Sequence, residues 1–253
     1  MATEAKKIDQ KFLERLYLKN LAQTKEDLKK SVNEDKLIVQ AIANITELDK
    51  VCNLLSKRLR EWQGWYYPEL SRKIEDHEKF AESVFNGEKK TKESFGGELR
   101  KEDVQEIISL AEEIVHLFSL RKKHEEYLRK VMQIYCPNLL ELAGATIAAH
   151  LLEMAKGLKY LALLPASTIQ ILGAEKALFR HIKTGSRSPK YGILFQHPLI
   201  QKAKKEQRGK VARALADKLS LCARADFFKG ELPEKGRLKA TEYRKELEEK
   251  FGK

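Results

Sequence analysis

The sequence is poor in proline, glycine and cysteine, with 6, 13 and 3 residues of these types among 253. The scarcity of proline and glycine leaves room for long uninterrupted helices, because these two residues most often end them. Cys52, Cys136 and Cys222 are far apart in the sequence, and each lies among apolar neighbours. They therefore indicate neither a disulfide framework nor a metal site, and an intracellular, cytoplasmic setting is expected.

Long apolar runs and catalytic motifs are also absent. No stretch of 18 apolar residues occurs, and residues 1–12 lack the apolar segment of a secretion signal, so neither a membrane span nor secretion is expected. The 6 histidines are scattered, and the sequence has no glycine-rich phosphate loop, no Cys/His array and no nucleophile motif. The sequence therefore predicts a chain with no enzymatic activity, no metal and no cofactor.

A seven-residue apolar repeat is the clearest pattern in the first half. Two rows of apolar residues recur between positions 37 and 62, the first being Ile38, Ile45, Cys52 and Leu59 and the second Leu48, Leu55 and Trp62. This pattern is typical of a supercoiled helix. Pro68 then interrupts it, a polar loop follows over 86–97, and helical spacing resumes from near Arg100 to Tyr135. Residues 36–135 are therefore predicted to form a long antiparallel coiled-coil hairpin, which either stands alone or self-associates.

The remaining segments are also predicted to be helical, which makes the fold class all-α. Residues 1–35 are expected to form an N-terminal helical segment that leans on the base of the hairpin. Residues 136–253 are expected to form a compact helical domain that starts at Pro137. Within this domain, one small-residue helix is predicted over 139–154, a second over 204–228, and a charged helix over 233–253.

Nearly all of the net positive charge lies between residues 176 and 224. This stretch holds thirteen Lys and Arg residues against Glu206 and Asp217, so its net charge is 13 − 2 = +11, while the whole chain carries +12. A local concentration of this size favours a polyanionic partner, of which nucleic acid is the commonest. The alternatives are a solvated basic surface without a partner and an acidic protein partner.

Two details favour RNA as the partner. Lys204, Lys205 and Arg208 stand where the first turns of a helix are predicted, and cations there are unfavourable unless an anion is bound. Tyr191 and Phe195 lie among the basic residues, where aromatic rings can stack on unpaired bases. These two aromatic residues fit the core of the domain equally well.

Several segments resemble the Nop family in the order in which they occur. The similarity is carried by residues 37–45, 65–70, 137–144, 172–181, 189–197 and 209–226. The similarity covers about residues 10–230, and the chain looks like the archaeal scaffold protein of box C/D ribonucleoprotein particles. A spliceosomal pre-mRNA-processing factor shares the domain, but the loop at 173–176 favours the box C/D branch.

The resemblance implies a non-catalytic scaffold with several partners. It implies that the Nop domain binds box C/D guide RNA jointly with a small, ribosomal-protein-like protein that binds the kink-turn, with residues 166–172 facing that protein. It also implies self-association through the coiled coil, and methylation of ribose 2′-OH groups by fibrillarin. The usual N-terminal domain that recruits fibrillarin is represented here only before Lys36, so direct fibrillarin binding is in doubt. The predicted RNA-binding residues are Lys176, Arg180, Gln196, His197, Lys204, Lys205, Arg208, Lys210 and Arg213.

Overall fold

The computed structural model describes residues 10–88, 90, 94–228 and 235–251. All regular secondary structure in these ranges is helical. This confirms the predicted all-α class. The helices are α1 (Gln10–Ser31), α2 (Glu34–Tyr66), α3 (Pro68–Lys73), α4 (His77–Phe85), α5 (Lys101–Tyr135), α6 (Pro137–Ala143), α7 (Ala145–Ala155), α8 (Leu158–Leu163), α9 (Ala166–Ile171), α10 (Glu175–Thr184), α11 (Pro198–Lys202), α12 (Arg208–Phe227) and α13 (Lys235–Phe251).

Helices α2 and α5 form the predicted hairpin, which we call the rod. They contain 33 and 35 residues and pack antiparallel along their length, so the rod is about 50 Å long at ~1.5 Å per residue. Helix α2 begins where the Asn33 side chain accepts a hydrogen bond from the Lys36 amide, and Glu34 in its first turn suits the helix dipole. All four residues of the first apolar row are buried, which confirms that row as the seam of the hairpin.

Arg60 organises the tip of the rod, where α3 and α4 fold back against α2 and α5. Its guanidinium donates hydrogen bonds to the carbonyl oxygens of Ser71 (3.0 Å) and Glu75 (2.7 Å) and to Nδ1 of His77 (3.1 Å). It also lies 4.3 Å from the centroid of the Phe80 ring, which is fully buried. One cation therefore satisfies carbonyl oxygens in the last turn of α3 and just before α4 at the same time.

The base of the rod shares one apolar core with the C-terminal helices. Ile38 of α2 and Met132 of α5 belong to the same buried cluster as Ala148 of α7, and α7 packs directly on α2. Asp35 of α2 adds a polar link, because its carboxylate accepts a hydrogen bond from the Leu158 amide at 3.0 Å. This continuous core crosses the domain boundary that the sequence predicts at residue 136.

Two sequence predictions about individual helices are wrong. The helix predicted over 139–154 is divided into α6 and α7, because Gly144 adopts a left-handed φ of 78° between them. The N-terminal segment does not lean on the base of the rod, since every described side chain of α1 is exposed. Residues 1–9 of that segment lie outside the described ranges.

Helix α13 closes the C-terminal core. Its Ala240 and Leu247 are buried against α6 and α12. Lys218 of α12 forms an ion pair with Glu246 at 2.7 Å and lies 4.3 Å from the centroid of the Tyr243 ring. The predicted charged helix over 233–253 is therefore present over 235–251, and its apolar side covers the domain.

Replacing Asp226 should destabilise the fold. Its buried carboxylate accepts hydrogen bonds from the amides of Asn138 and Leu139 and from the Asn138 side chain, at 2.9–3.2 Å, and so caps the start of α6. Asp226→Ala leaves these donors buried without their acceptor, which should lower the free energy of unfolding by about 3 kcal/mol. Asp217→Ala, an exposed change on the same helix, is the control and should cost less than ~0.5 kcal/mol. Urea unfolding measures both, and equal losses would contradict the capping role.

The stability of the rod tip should depend on pH through His77. Because Arg60 is always a donor, its bond to Nδ1 requires a neutral His77 ring, and burial together with Arg60 lowers the pKa of His77 below the ordinary 6.5. Lys57 lowers this pKa further and Asp76 opposes the shift. The unfolded chain then binds a proton that the folded tip does not. This contribution to stability is complete above pH ~6.5 and decreases as the pH falls through the lowered folded pKa.

Hydrogen exchange in α3 and α4 between pH 8 and pH 5, corrected for the intrinsic rate, tests this dependence. The wild-type tip should lose protection as the pH falls. In His77→Gln the loss should be much smaller, because the variant side chain does not titrate. Identical pH profiles for the two proteins would show that His77 does not control the tip.

Candidate nucleic-acid interface

The basic segment is built on buried apolar anchors. A 3₁₀ turn at Ile193–Gln196 precedes α11, which is followed by α12. Leu194, Ile200 and Val211, one from each of these elements, are fully buried in the core. The polar and basic residues between these anchors are consequently held at the surface by the packing beneath them.

A close backbone approach places the loop before the 3₁₀ turn against α9. The Gly192 amide donates to the Gln170 carbonyl oxygen at 3.0 Å, and the Gln170 side chain donates to the Lys190 carbonyl oxygen at 2.7 Å. A Cβ atom on Gly192 would lie 1.8 Å from the Leu172 carbonyl oxygen, so only glycine fits here. The aliphatic part of Lys190 in turn lies over Gly209, which brings a loop cation beside the start of α12.

Seven of the nine predicted RNA-binding residues are exposed. They are Lys176, Arg180, Gln196, Lys204, Lys205, Lys210 and Arg213. None of the cations among them forms a salt bridge with another described residue. Their positive charge is therefore available to an external anion.

The start of α12 differs from the prediction. The helix begins at Arg208, not at Lys204, and Ala203 before it is extended, with φ −67° and ψ 147°. Residues 204–207 form a separate turn in which the Lys204 carbonyl oxygen accepts from the Gln207 amide at 2.8 Å. Lys204 and Lys205 therefore lie on this turn, and the argument from cations in a first helical turn applies to Arg208 and Lys210. The first turn of α12 has no acidic residue and no side-chain cap.

His197 lies inside the domain and is not part of the exposed surface. It is 8% exposed; its Nδ1 accepts from the Leu199 amide at 3.3 Å and its Nε2–H donates to the Leu142 carbonyl oxygen at 3.1 Å. Burial lowers its pKa, which keeps the ring neutral. Sequence reasoning could not separate His197 from its exposed neighbour Gln196, because only the packing decides which of the two points inward.

The aromatic residues of the segment form a stack with Arg208. The rings of Tyr191 and Phe195 are parallel to within 13°, with centroids 5.0 Å apart, and the Arg208 guanidinium lies 5.5 Å from the Phe195 centroid. Tyr191 also packs against the core, whereas Phe195 is 37% exposed. Core packing, one of the two interpretations, therefore applies to Tyr191. The other, a ring at the surface, applies to Phe195.

Not every Lys and Arg residue between 176 and 224 contributes to one exposed basic surface. Helix α10, which carries Lys176 and Arg180, has no buried side chain among its described residues and no extensive packing on another helix. Arg224 is used internally, since its Nε donates to the Ala162 carbonyl oxygen at 3.2 Å. Lys190 and Lys202, which the predicted site omits, are exposed next to it in the chain. We define the basic face as the exposed cations Lys190, Lys202, Lys204, Lys205, Lys210 and Arg213.

The described ranges contain no group of three or more His, Cys, Asp or Glu residues arranged to bind a metal ion. None of the helices in these ranges combines the length and the apolar character that a bilayer span requires.

Comparison with known sequences identifies the family of the chain. A family model described as "Nop: snoRNA binding domain, fibrillarin" matches residues 44–253. A NOP5 family protein of Methanocaldococcus jannaschii is 45% identical over 217 residues, which are 77% of this chain and 52% of that protein. Nucleolar protein 58 of Schizosaccharomyces pombe is 40% identical over 215 residues, 76% of this chain and 42% of that protein. The chain thus spans about half the length of these curated relatives.

A solved structure supports the same assignment. The chain resembles one described as the crystal structure of a fibrillarin/Nop5p complex, with a TM-score of 0.55 and 29% identity. The similarity covers 96% of this chain and 82% of that chain. With the family match extending over most of its length, the chain belongs to the Nop family.

Proposed function

We propose that the chain is a non-catalytic, RNA-binding scaffold of a box C/D guide ribonucleoprotein. In this proposal, the C-terminal helices hold the guide RNA together with a small kink-turn-binding protein, and the assembly supports fibrillarin-dependent 2′-O-methylation of RNA in the cytoplasm. The observation that carries the proposal is the basic face, a set of exposed cations without acidic partners in the described part of a Nop domain.

The physical argument for RNA rests on the lack of internal compensation. Lys204, Lys205 and Arg213 are all exposed. They belong to the stretch 176–224, whose net charge is +11, and outside this stretch the net charge of the chain is only 12 − 11 = +1. Binding to phosphates would release condensed counterions and would make affinity depend steeply on salt. The exposed amide of Gln196 supplies a polar group next to these cations that can contact a base edge.

The protein partners belong to the same proposal. Helix α9 and Leu163 before it, which is 65% exposed, offer a surface of polar and apolar residues for the kink-turn-binding protein, next to the basic face. The tip of the rod exposes Trp65 (68%) and Phe95 (95%), which supports self-association through the coiled coil. Fibrillarin is included because the similar solved structure is a fibrillarin/Nop5p complex.

Removal of three cations from the basic face should weaken RNA binding. The variant Lys204→Ala, Lys205→Ala, Arg213→Ala loses three phosphate-binding charges, so the slope of log affinity against log salt should become shallower by about 2–3. The measurement is fluorescence anisotropy of a labelled box C/D RNA between 50 and 200 mM salt, with and without the kink-turn-binding protein. Wild-type binding should require that protein and should be strongly salt-dependent.

A matched control lies on the rod. The variant Lys123→Ala, Arg129→Ala, Lys130→Ala removes the same charge from exposed positions on α5 and should leave the salt slope nearly unchanged. Equal effects of the two variants would show that the basic face has no special role. No RNA binding by the wild-type chain at 50 mM salt would favour a protein–protein adaptor instead. A preference for a spliceosomal RNA stem without self-association would favour the spliceosomal type of Nop protein.

A further inference from the structure

Arg208 differs from the other cations at this surface because its side chain is already engaged. Its Nε donates to the Ala203 carbonyl oxygen at 3.1 Å, and its Nη2 donates to the Gln201 carbonyl oxygen at 3.4 Å. The guanidinium also lies on the Phe195 ring, and the residue is half-buried. Lys204, in contrast, is exposed and has no salt-bridge partner in the described ranges.

The two carbonyl groups lie where backbone acceptors most need a donor. Gln201 is in the last turn of α11, and Ala203 follows the end of that helix. Carbonyl oxygens at a helix end have no partner within the helix, so an external donor stabilises them. The planar fork of arginine can reach two such oxygens together, whereas a lysine ammonium concentrates its donors at one point.

This contact closes a short loop of chain. Arg208 is the first residue of α12. The carbonyl groups that accept its hydrogen bonds belong to Ala203 and Gln201, five and seven residues earlier in the chain. The turn at 204–207 is therefore fixed at both ends by one side chain. Lys202, Lys204 and Lys205, half of the basic face, stand on this closed segment.

We propose that Arg208 is a positioning residue, which shapes the 202–205 segment for phosphate binding and does not itself neutralise a phosphate. This inference rests on the proposed RNA-binding function and assigns a different role to one residue within it. The Nε–Nη2 edge of the guanidinium, through which an arginine could bind a phosphate with two hydrogen bonds, is occupied by the Ala203 and Gln201 carbonyl groups, and its face lies on the Phe195 ring. As a clamp, it keeps all three contacts when RNA binds.

The variant Arg208→Lys separates charge from geometry. It keeps the positive charge but loses the fork, so RNA affinity should fall about tenfold, the equivalent of one lost charge-assisted hydrogen bond, with an unchanged salt slope. Arg208→Ala should show a similar loss, again without a change in slope. The control for the exchange of side chain is Arg129→Lys at an exposed position on α5, which should bind as wild type, whereas Arg213→Ala should make the slope shallower by about 1.

Amide hydrogen exchange in the absence of RNA gives a second, independent readout. In Arg208→Lys the amides of 204–208 should exchange faster than in the wild type, while those of α2 and α5 stay protected and show that the variant is folded. Wild-type RNA affinity in Arg208→Lys, a slope made shallower by about 1 in Arg208→Ala, or unchanged exchange at 204–208 would each overturn the positioning role. Failure of the wild-type chain to bind RNA would instead overturn the proposed function, and the exchange experiment would still decide whether the clamp exists.

Discussion

The rest of the structure depends on one apolar core that joins the base of the rod to the helices carrying the basic face. Ile38 and Ile42 from α2 meet Leu128 and Met132 from α5 in this core, and all four side chains are fully buried. Each such burial contributes about 1.5–3 kcal/mol. Since the same cluster includes residues of α7 and α12, the direction of the rod and the orientation of the basic face are set by the same packing. A scaffold that positions RNA relative to other subunits needs this fixed relation.

Charged side chains complete the short helices around that core. The C-terminal half is divided into short helices, and every end leaves backbone groups without a helical partner. Asp226 satisfies the start of α6, Arg224 the end of α8, and Arg208 the end of α11. Arg60 does the same at the tip of the rod. Arg60, Arg208 and Arg224 therefore stabilise backbone carbonyl groups, whereas other cations, such as those of the basic face, are exposed, and only the structure distinguishes the two kinds.

The sequence predicted what depends on periodicity and composition. The heptad rows predict the rod because the same apolar spacing recurs several times along α2. The concentration of Lys and Arg predicts the exposed charge because charged side chains are seldom buried. The predictions that failed depend on single conformations or on neighbours distant in the chain. The left-handed φ of Gly144 divides the helix predicted over 139–154. His197 is buried, and its ring donates a hydrogen bond to the Leu142 carbonyl oxygen. For α1, the apolar content predicted docking on the rod, but its described side chains are all exposed.

The most direct test of the central claim is ultraviolet cross-linking of the chain to a box C/D RNA in the presence of the kink-turn-binding protein, with the linked peptides identified by mass spectrometry. If the basic face binds the RNA, the linked residues should concentrate between 176 and 213. Gln196 and the 202–205 segment should be among them, and α2 and α5 should be nearly free of links. Links confined to the rod or to α1, with none between 176 and 213, would contradict the assignment of the RNA-binding surface.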